Sequence, residues 1–154
     1  MAEAYIALGT NIGNKKENIN NALTSIALLP ETSIVKTSCI YESEPWGYAL
    51  QDNFLNSAVK IETGLSEFSL LGACLGIEAA MGRKRSIKNG PRIIDIDLLC
   101  YGTKTVNTKE LILPHPRMLE RVFVLKPLCE ICDNKIYKDA LECLDKTKAW
   151  IYNE

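Results

Sequence analysis

The 154 residues carry 18 Lys and Arg against 19 Asp and Glu, a formal net charge of −1, and 47% of them are hydrophobic. That balance suits a single globular domain over 1–154 with a real core, and it excludes global steering towards nucleic acid or an anionic membrane. No apolar run approaches the roughly 20 residues that span a bilayer, and residues 1–8 lack the basic and apolar regions of a secretory signal, so a cytoplasmic location is expected.

Residues 4–8 are apolar and predict a short strand. The turn-forming cluster Gly9-Thr10-Asn11-Ile12-Gly13-Asn14 follows, and a helix over 15–28 is predicted from Ile19, Ala22, Leu23 and Ile26 at i, i+3, i+4 and i+7. Gly-Thr-Asn-x-Gly before a helix suits either a phosphate cradle of backbone N–H groups or an ordinary cap and turn. Alternation over 33–42 predicts one strand, with Ile34, Lys36, Ser38 and Ile40 opposite Val35, Thr37, Cys39 and Tyr41. Residues 43–52 form a long loop carrying Trp46 and Tyr48. Another strand is predicted over 54–63, where Phe54, Asn56 and Ala58 share a face. A ring beside an amide can grip a flat heterocycle, and it is also an ordinary core Phe next to a satisfied Asn.

Ser66 is a suitable N-cap for a helix over 67–81. Phe68, Leu71 and Leu75 make one apolar row, ending at Glu78, and Leu70, Cys74, Ile77 and Met81 make another, so this helix is expected to be largely buried. Residues 83–92 then include Arg83, Lys84, Arg85, Lys88 and Arg92, with Gly90 and Pro91 keeping the segment irregular. Like charges with Ile87 as sole apolar anchor predict a loop that is mobile when empty.

The stretch 93–101 predicts a strand. Asp95 and Asp97 point the same way, about 7 Å apart at Cα, while Ile94, Ile96, Leu98 and Cys100 take the other face. Two carboxylates sharing a face raise each other's pKa, and a hard divalent cation relieves that repulsion with the oxygen ligands it prefers. Adjacent arginines offer bidentate contacts to phosphate oxygens. Magnesium-assisted phosphoryl-type chemistry is therefore expected on this strand. Beyond it, Gly102 and Asn107-Thr108 mark turns, 111–114 is extended, and Pro114-His115-Pro116 leads into a helix running towards Cys129. His115 is the sole histidine, held out of helix by its prolines. A terminal helix over 138–146 packs Leu141 and Leu144 inward. The six cysteines (39, 74, 100, 129, 132 and 143) are expected to be reduced, mostly small core residues. Cys129-Glu-Ile-Cys132 is expected to be one turn of helix with both thiols facing the core.

Taken together, Gly9-Thr10-Asn11-Ile12-Gly13, Phe54-Leu55-Asn56, Ile77-Glu78 through Gly82-Arg83, Gly90-Pro91-Arg92-x-x-Asp95-x-Asp97 and Pro114-His115-Pro116-Arg117-Met118 with Arg121 and Phe123 resemble, in order and spacing, 6-hydroxymethyl-7,8-dihydropterin pyrophosphokinase. The resemblance covers the chain to about Ile131. It implies an α+β, ferredoxin-like sandwich, a mainly antiparallel sheet with helices packed on it. It also implies a magnesium-dependent transferase of the kinase type, which moves the β,γ-diphosphate of ATP to the hydroxymethyl group of the dihydropterin and releases AMP, in folate biosynthesis. Asp95 and Asp97 are implied as ligands of two magnesium ions, and Arg83, Arg92, Asp95 and Asp97 as the catalytic set. Arg83, Arg85, Arg92, His115 and Arg121 are implied to contact ATP. Phe54 and Phe123 are implied to sandwich the pterin, Asn56 and Ser43 to read its edge, and the segment of Pro45 and Trp46 to assist. A monomer with no nucleic-acid or membrane partner is expected. This chain departs from the family pattern in having Leu75 where a Gln is usual, and Asn89 where some members carry Trp. Two rival readings use the same features: a D-x-D glycosyltransferase, and a non-enzymatic module presenting stacked aromatics on its sheet to RNA.

Overall fold

Period-two apolar segments form the sheet and period-3.6 segments cover it, in a computed structural model that describes residues 1–45, 50–82 and 91–153. The elements are β1 (Ala2–Thr10), α1 (Lys15–Ala27), β2 (Thr32–Thr37), β3 (Tyr41–Ser43), β4 (Phe54–Thr63), α2 (Glu67–Ala80), β5 (Asp95–Tyr101), β6 (Val106–Asn107), β7 (Ile112–Leu113), α3 (Val122–Ile131), α4 (Lys135–Glu142) and β8 (Ala149–Ile151), with short 3-10 turns at Met118–Glu120 and Lys146–Lys148. The main sheet runs β5-β1-β4-β3-β8, with β2 also on β4, and its pairings are antiparallel. Strand, helix, two short strand segments, return strand, helix and strand along the chain, with the strands arranged in the sheet as β5-β1-β4-β3-β8, give the ferredoxin-like α+β fold. β6 and β7 form a separate small ladder.

Each sheet face has its own core. On one, Ala4, Ile6 and Leu8 of β1, Val59 and Ile61 of β4, and Ile96 and Leu98 of β5 meet Ile19, Ala22 and Ile26 of α1 and Leu70, Cys74 and Ile77 of α2. On the other, Ala58 and Leu99 meet Val124, Leu125, Leu128 and Ile131 of α3, with α4 contributing Tyr137, Ala140 and Leu141. Burying one such Leu or Ile contributes about 1.5–3 kcal/mol.

Several sequence expectations need correction. The segment 33–42 is not one strand. β2 carries a bulge between Ile34 and Lys36, and its register on β4 slips again before β3, from Thr37 opposite Val59 to Tyr41 opposite Asn56. Ser38 occupies the break. Its N–H donates to the Ala58 carbonyl at 2.9 Å, its Oγ accepts from the Ala58 N–H at 2.9 Å, and the hydroxyl donates to the Cys39 carbonyl at 2.7 Å. A side chain thus replaces a ladder rung, and an alternating pattern gives no warning of it. A second bulge, where Tyr5 opposes Cys100 and Ile6 opposes Leu98, inserts Leu99 into β5. Cys100 therefore turns to the α3 face, with Sγ 3.0 Å from the Tyr137 hydroxyl, rather than joining Ile94, Ile96 and Leu98.

Helix α2 is not largely buried. Leu70, Cys74 and Ile77 face the core, whereas Phe68 is 44% and Leu75 45% exposed. A helix on the outer layer of a sheet has one face to bury, and an apolar sequence all round does not say which. Glu78 belongs to the inward face, at 3% exposure. The Cys129–Cys132 pair straddles the end of α3, with Cys132 its extended C-cap and both thiols half-buried. Burial raises the Cys129 thiol's pKa and pushes Cys74 up to about 12, while Cys39 and Cys143 are exposed rather than core. The last helix begins at Lys135, capped by the Asn134 side chain, and β8 beyond it adds an unforeseen strand to β3. Among the described residues, no helix is long and apolar enough to cross a membrane.

The Ser38 rung is testable. Ser38→Ala leaves the buried Ala58 N–H without its acceptor, which costs about 1–3 kcal/mol. Urea unfolding is expected to show a lower midpoint with unchanged slope; an unchanged midpoint would show that the rung contributes nothing.

Candidate active site

The pairing register decides what gathers at one end of the sheet. Asp95 lies opposite Gly9 and Asp97 opposite Ala7 on one side of β1, and on the other side Gly9 pairs with Asn56 and Ala7 with Ala58. Paired residues share a face, so two carboxylates look across a floor of small residues towards Asn56 and its neighbour Phe54. A Cβ added at Gly9 would meet Asn56 Oδ1 at 3.6 Å and Phe54 Cδ1 at 4.0 Å, so its absence leaves the floor open rather than relieving a clash. The resulting cleft opens to solvent and has an empty volume of about 620 Å³, counting the solvent at its mouth.

The cleft is lined by Ala7, Leu8, Gly9, Ser43, Glu44, Phe54, Asn56, Arg92, Asp95, Asp97, Arg121, Phe123 and Val124. Eight residues picked out from the sequence are therefore brought together: Ser43, Phe54, Asn56, Arg92, Asp95, Asp97, Arg121 and Phe123. β3 and β4 supply the first three, β5 and its approach the next three, and the start of α3 the last two. Asn56 and Ser43 are both buried, and Asn56 Nδ2 donates to Ser43 Oγ at 2.8 Å, which fixes the orientation of both polar groups. The Arg121 guanidinium carbon stands 5.7 Å from the centre of the Phe123 ring, within cation–π range. One residue pair thus joins the charged end of the cleft to its aromatic wall.

At the charged end, Arg92 Nη1 meets Asp95 Oδ2 at 3.2 Å. Burial lowers the pKa of Arg121, Asp97 and Asp95 act to raise it, and Arg117 and Arg92 depress it further. His115 stands beside the cleft rather than in its lining. Its N–H donates to the Leu99 carbonyl at 2.9 Å, and its Nδ1 accepts from the Arg117 N–H at 3.3 Å. Burial lowers its pKa, as do Arg121 and Arg117, against an opposing pull from Asp95. Pro45 is half-buried, two residues past Ser43 and outside the lining. Arg83, Arg85 and Trp46 lie outside the described residues, as do Asn89 and most of the basic segment.

Two buried polar residues outside the lining hold the site together. Glu78 Oε2 accepts the Ile96 N–H at 2.7 Å, holding the residue between the two aspartates. Its signal was present in the spacing 70, 74, 77, 78, which puts it on the buried row of α2. Asn11 is 3% exposed and ties its turn to Arg92, Gln51 and Asp52. The turn as a whole is built by side chains: Asn18 Nδ2 donates to the Ile12 carbonyl at 2.8 Å, and the Asn14 side chain caps α1.

A family model of 7,8-dihydro-6-hydroxymethylpterin-pyrophosphokinase matches residues 5–133. This chain belongs to that family. The 2-amino-4-hydroxy-6-hydroxymethyldihydropteridine pyrophosphokinase of Bacillus subtilis (strain 168) is 44% identical over 137 residues, covering 89% of this chain and 81% of that protein. Its counterpart from Methylorubrum extorquens is 44% identical over 150 residues, covering 94% and 95%. A crystal structure of Plasmodium falciparum HPPK-DHPS A437G with SDX-DHP shares the fold at a TM-score of 0.72 and 16% identity, over 92% of this chain. There this chain spans 45% of the solved chain's length. Membership sets aside the glycosyltransferase use of D-x-D, and it gives the G-P-R-x-x-D-x-D and P-H-P-R-M segments one common setting.

Does the site suit magnesium? Among the described residues no group of three His, Cys, Asp or Glu can hold an ion, yet two carboxylates share one face of the cleft. That donor set fits an ion that takes only one or two protein carboxylates and completes its shell with water and phosphate oxygens, as magnesium does.

His115 gives a direct test of the electrostatics. As the sole histidine it has a single imidazole titration by NMR, expected to fall below the ordinary 6.5 in the empty protein. The folded state then prefers neutral imidazole, so stability falls as pH drops through the ordinary histidine range, where the unfolded chain takes the proton first. Adding tripolyphosphate should raise the midpoint. A midpoint at or above 6.5 without ligand would contradict this account.

Proposed function

We propose that the chain transfers the β,γ-diphosphate of ATP to the hydroxymethyl group of 6-hydroxymethyl-7,8-dihydropterin, releasing AMP, in folate biosynthesis. The observation that carries the reading is a single cleft joining the Asp95–Asp97 edge to a floor of Gly9 and Ala7 walled by Phe54 and Phe123. In balance, the hydroxymethyl oxygen attacks the β-phosphorus, the bond from that phosphorus to the α,β-bridging oxygen breaks, the hydroxyl proton is lost, and AMP departs.

Asp95 and Asp97 would hold magnesium, two ions with the nucleotide. Bound there, magnesium neutralises phosphate charge and lowers the proton affinity of the attacking hydroxyl. Phe54 and Phe123 stack the flat ring from two sides, and the Asn56–Ser43 pair offers donor and acceptor groups to its edge, assisted by Pro45 and Trp46. Arg92, Arg121 and His115 neutralise the polyphosphate, joined by Arg83 and Arg85 of the basic segment. Arg92 has a second part. Its pairing with Asp95 at 3.2 Å keeps the guanidinium beside the acid until phosphate oxygens compete for it. Arg83 and Arg92 then bear on charge that develops in the transition state. A monomer acting in the cytoplasm completes the reading.

Incubation with ATP, Mg²⁺ and the dihydropterin is expected to yield AMP and the pterin diphosphate. ADP, or no nucleotide turnover, would sink the reading. Asp97→Ala should reduce kcat by about 10³-fold or more, as for loss of a principal electrostatic group, while pterin binding stays near wild type. Activity that survives EDTA would rule out the metal assignment.

A further inference from the structure

We infer that Asn11 is a positioning residue that locks together the phosphate side and the heterocycle side of the cleft. The inference rests on the pyrophosphokinase reading and assigns a part to a residue that does not itself line the cleft. Asn11 lies where three segments meet. Its own segment follows Gly9, part of the floor. Its main-chain N–H donates to the Arg92 carbonyl at 3.0 Å, and its Oδ1 accepts from the Arg92 N–H at 2.8 Å. On the other flank, Nδ2 donates to the Asp52 carbonyl at 3.1 Å and to Gln51 Oε1 at 2.7 Å. Arg92 carries the guanidinium that pairs with Asp95. Residues 51 and 52 lead directly into Asn53, whose carbonyl accepts from Lys15 Nζ at 3.0 Å, and then into Phe54.

Backbone groups of fixed polarity set the orientation of the amide. The Arg92 N–H can only donate and the Asp52 carbonyl can only accept, so the oxygen must face Arg92 and the NH₂ must face Asp52. The side chain is buried, so water does not replace a lost bond at low cost. No other residue type of this size supplies an acceptor in one direction and two donors in the other. Gly-Thr-Asn is therefore a clamp built from a side chain rather than a cradle of N–H groups for phosphate. The segments it fixes on either side carry the group that neutralises phosphate and the ring that stacks on the substrate. Their separation sets the distance from the hydroxymethyl oxygen to the phosphorus, a quantity to which rates are steeply sensitive.

The asymmetry of the amide makes the two arms separable. Asn11→Ala removes both, and kcat is expected to fall about 100-fold from misplaced reactants, with the dissociation constant of the dihydropterin raised about tenfold for the lost bonds to 51–52. Asn11→Asp restores the acceptor for Arg92 but cannot donate to the Asp52 carbonyl. Its kcat is expected to return to within about threefold of wild type while pterin binding stays weakened. Amide hydrogen exchange reads the same split without turnover. Peptides covering 91–95 should be protected in wild type and Asn11→Asp but not in Asn11→Ala, and those covering 50–54 should be loosened in both variants. Equal kcat in the two variants, or equal exchange at 91–95, would overturn the inference. Should Asn11→Ala fail to fold, Asn11→Asp alone decides: weakened pterin binding at near-normal kcat supports the clamp, and lost kcat at normal binding overturns it. Wild-type protein that releases no AMP condemns the pyrophosphokinase reading, and the exchange pattern still judges the clamp.

Discussion

The hydrogen bond from the Ile96 N–H to the buried Glu78 carboxylate fixes which face of β5 carries charge. Among the described residues β5 is the last strand on its side of the sheet, so one of its edges has no neighbouring strand there to hold it. A slip of one residue would carry Asp95 and Asp97 into the core beside Leu70 and Ile77, and bring Ile96 into the cleft. Two constraints prevent it. β1 pairs along the inner edge, and Glu78 grips the outer edge at the residue between the aspartates. The charged pair is thus held by a third acid that faces the other way.

Given that anchoring, the rest of the cleft follows from side-chain size. β1 contributes Ala7 and Gly9 to this face where its opposite face carries Ile6 and Leu8. The central strand is thereby hollowed between the Asp strand and the Phe54–Asn56 strand. Farther along the same face Leu99 and Ala58 meet α3 and the space closes. One face accordingly serves as site at one end and core at the other, and the bulge at Leu99 lies close to the changeover. The carbonyl of that bulged residue also accepts the His115 N–H. The irregularity that ends the aspartate alternation therefore helps hold the histidine beside the charged end.

How much of this was legible in the sequence depends on the kind of signal. Alternation in Ile94-Asp95-Ile96-Asp97 is unambiguous, because charge and aliphatic carbon cannot exchange faces at low cost, and both the strand and its charged side were readable. Cys100 was not, since a thiol sits equally well on either face and nothing local marks the inserted Leu99. Phe68 and Leu75 misled for the converse reason: every row of α2 is apolar, so pattern alone could not choose the buried one. β8 follows a charged segment and is three residues long, and its buried Ala149 carries little signal. Asn11 has the composition of any turn, and its role exists only through partners some 40 and 81 positions away. The dihydropterin had no local signature either. Metal and polyphosphate could be argued from carboxylates and arginines, but the substrate came through family resemblance.

The shortage of protein ligands at the charged end has a consequence for the proposed chemistry. Among the described residues no group of three His, Cys, Asp or Glu is placed to hold an ion, so Asp95 and Asp97 would by themselves offer a divalent cation few inner contacts. On the proposed reading most of the shell would come from water and from the polyphosphate, and metal loading and nucleotide loading would be one thermodynamic event. Meanwhile the Arg92–Asp95 pair occupies one of those carboxylates at 3.2 Å. In the proposed reaction, a polyphosphate arriving with its cation would exchange that pair for two new ones, guanidinium with phosphate and carboxylate with metal, at little change in net local charge. An ion pair of this kind, each partner half-buried and each destined for another, contributes little to stability. Its value lies in keeping two opposite charges at hand, without the uncompensated repulsion that either would cause alone.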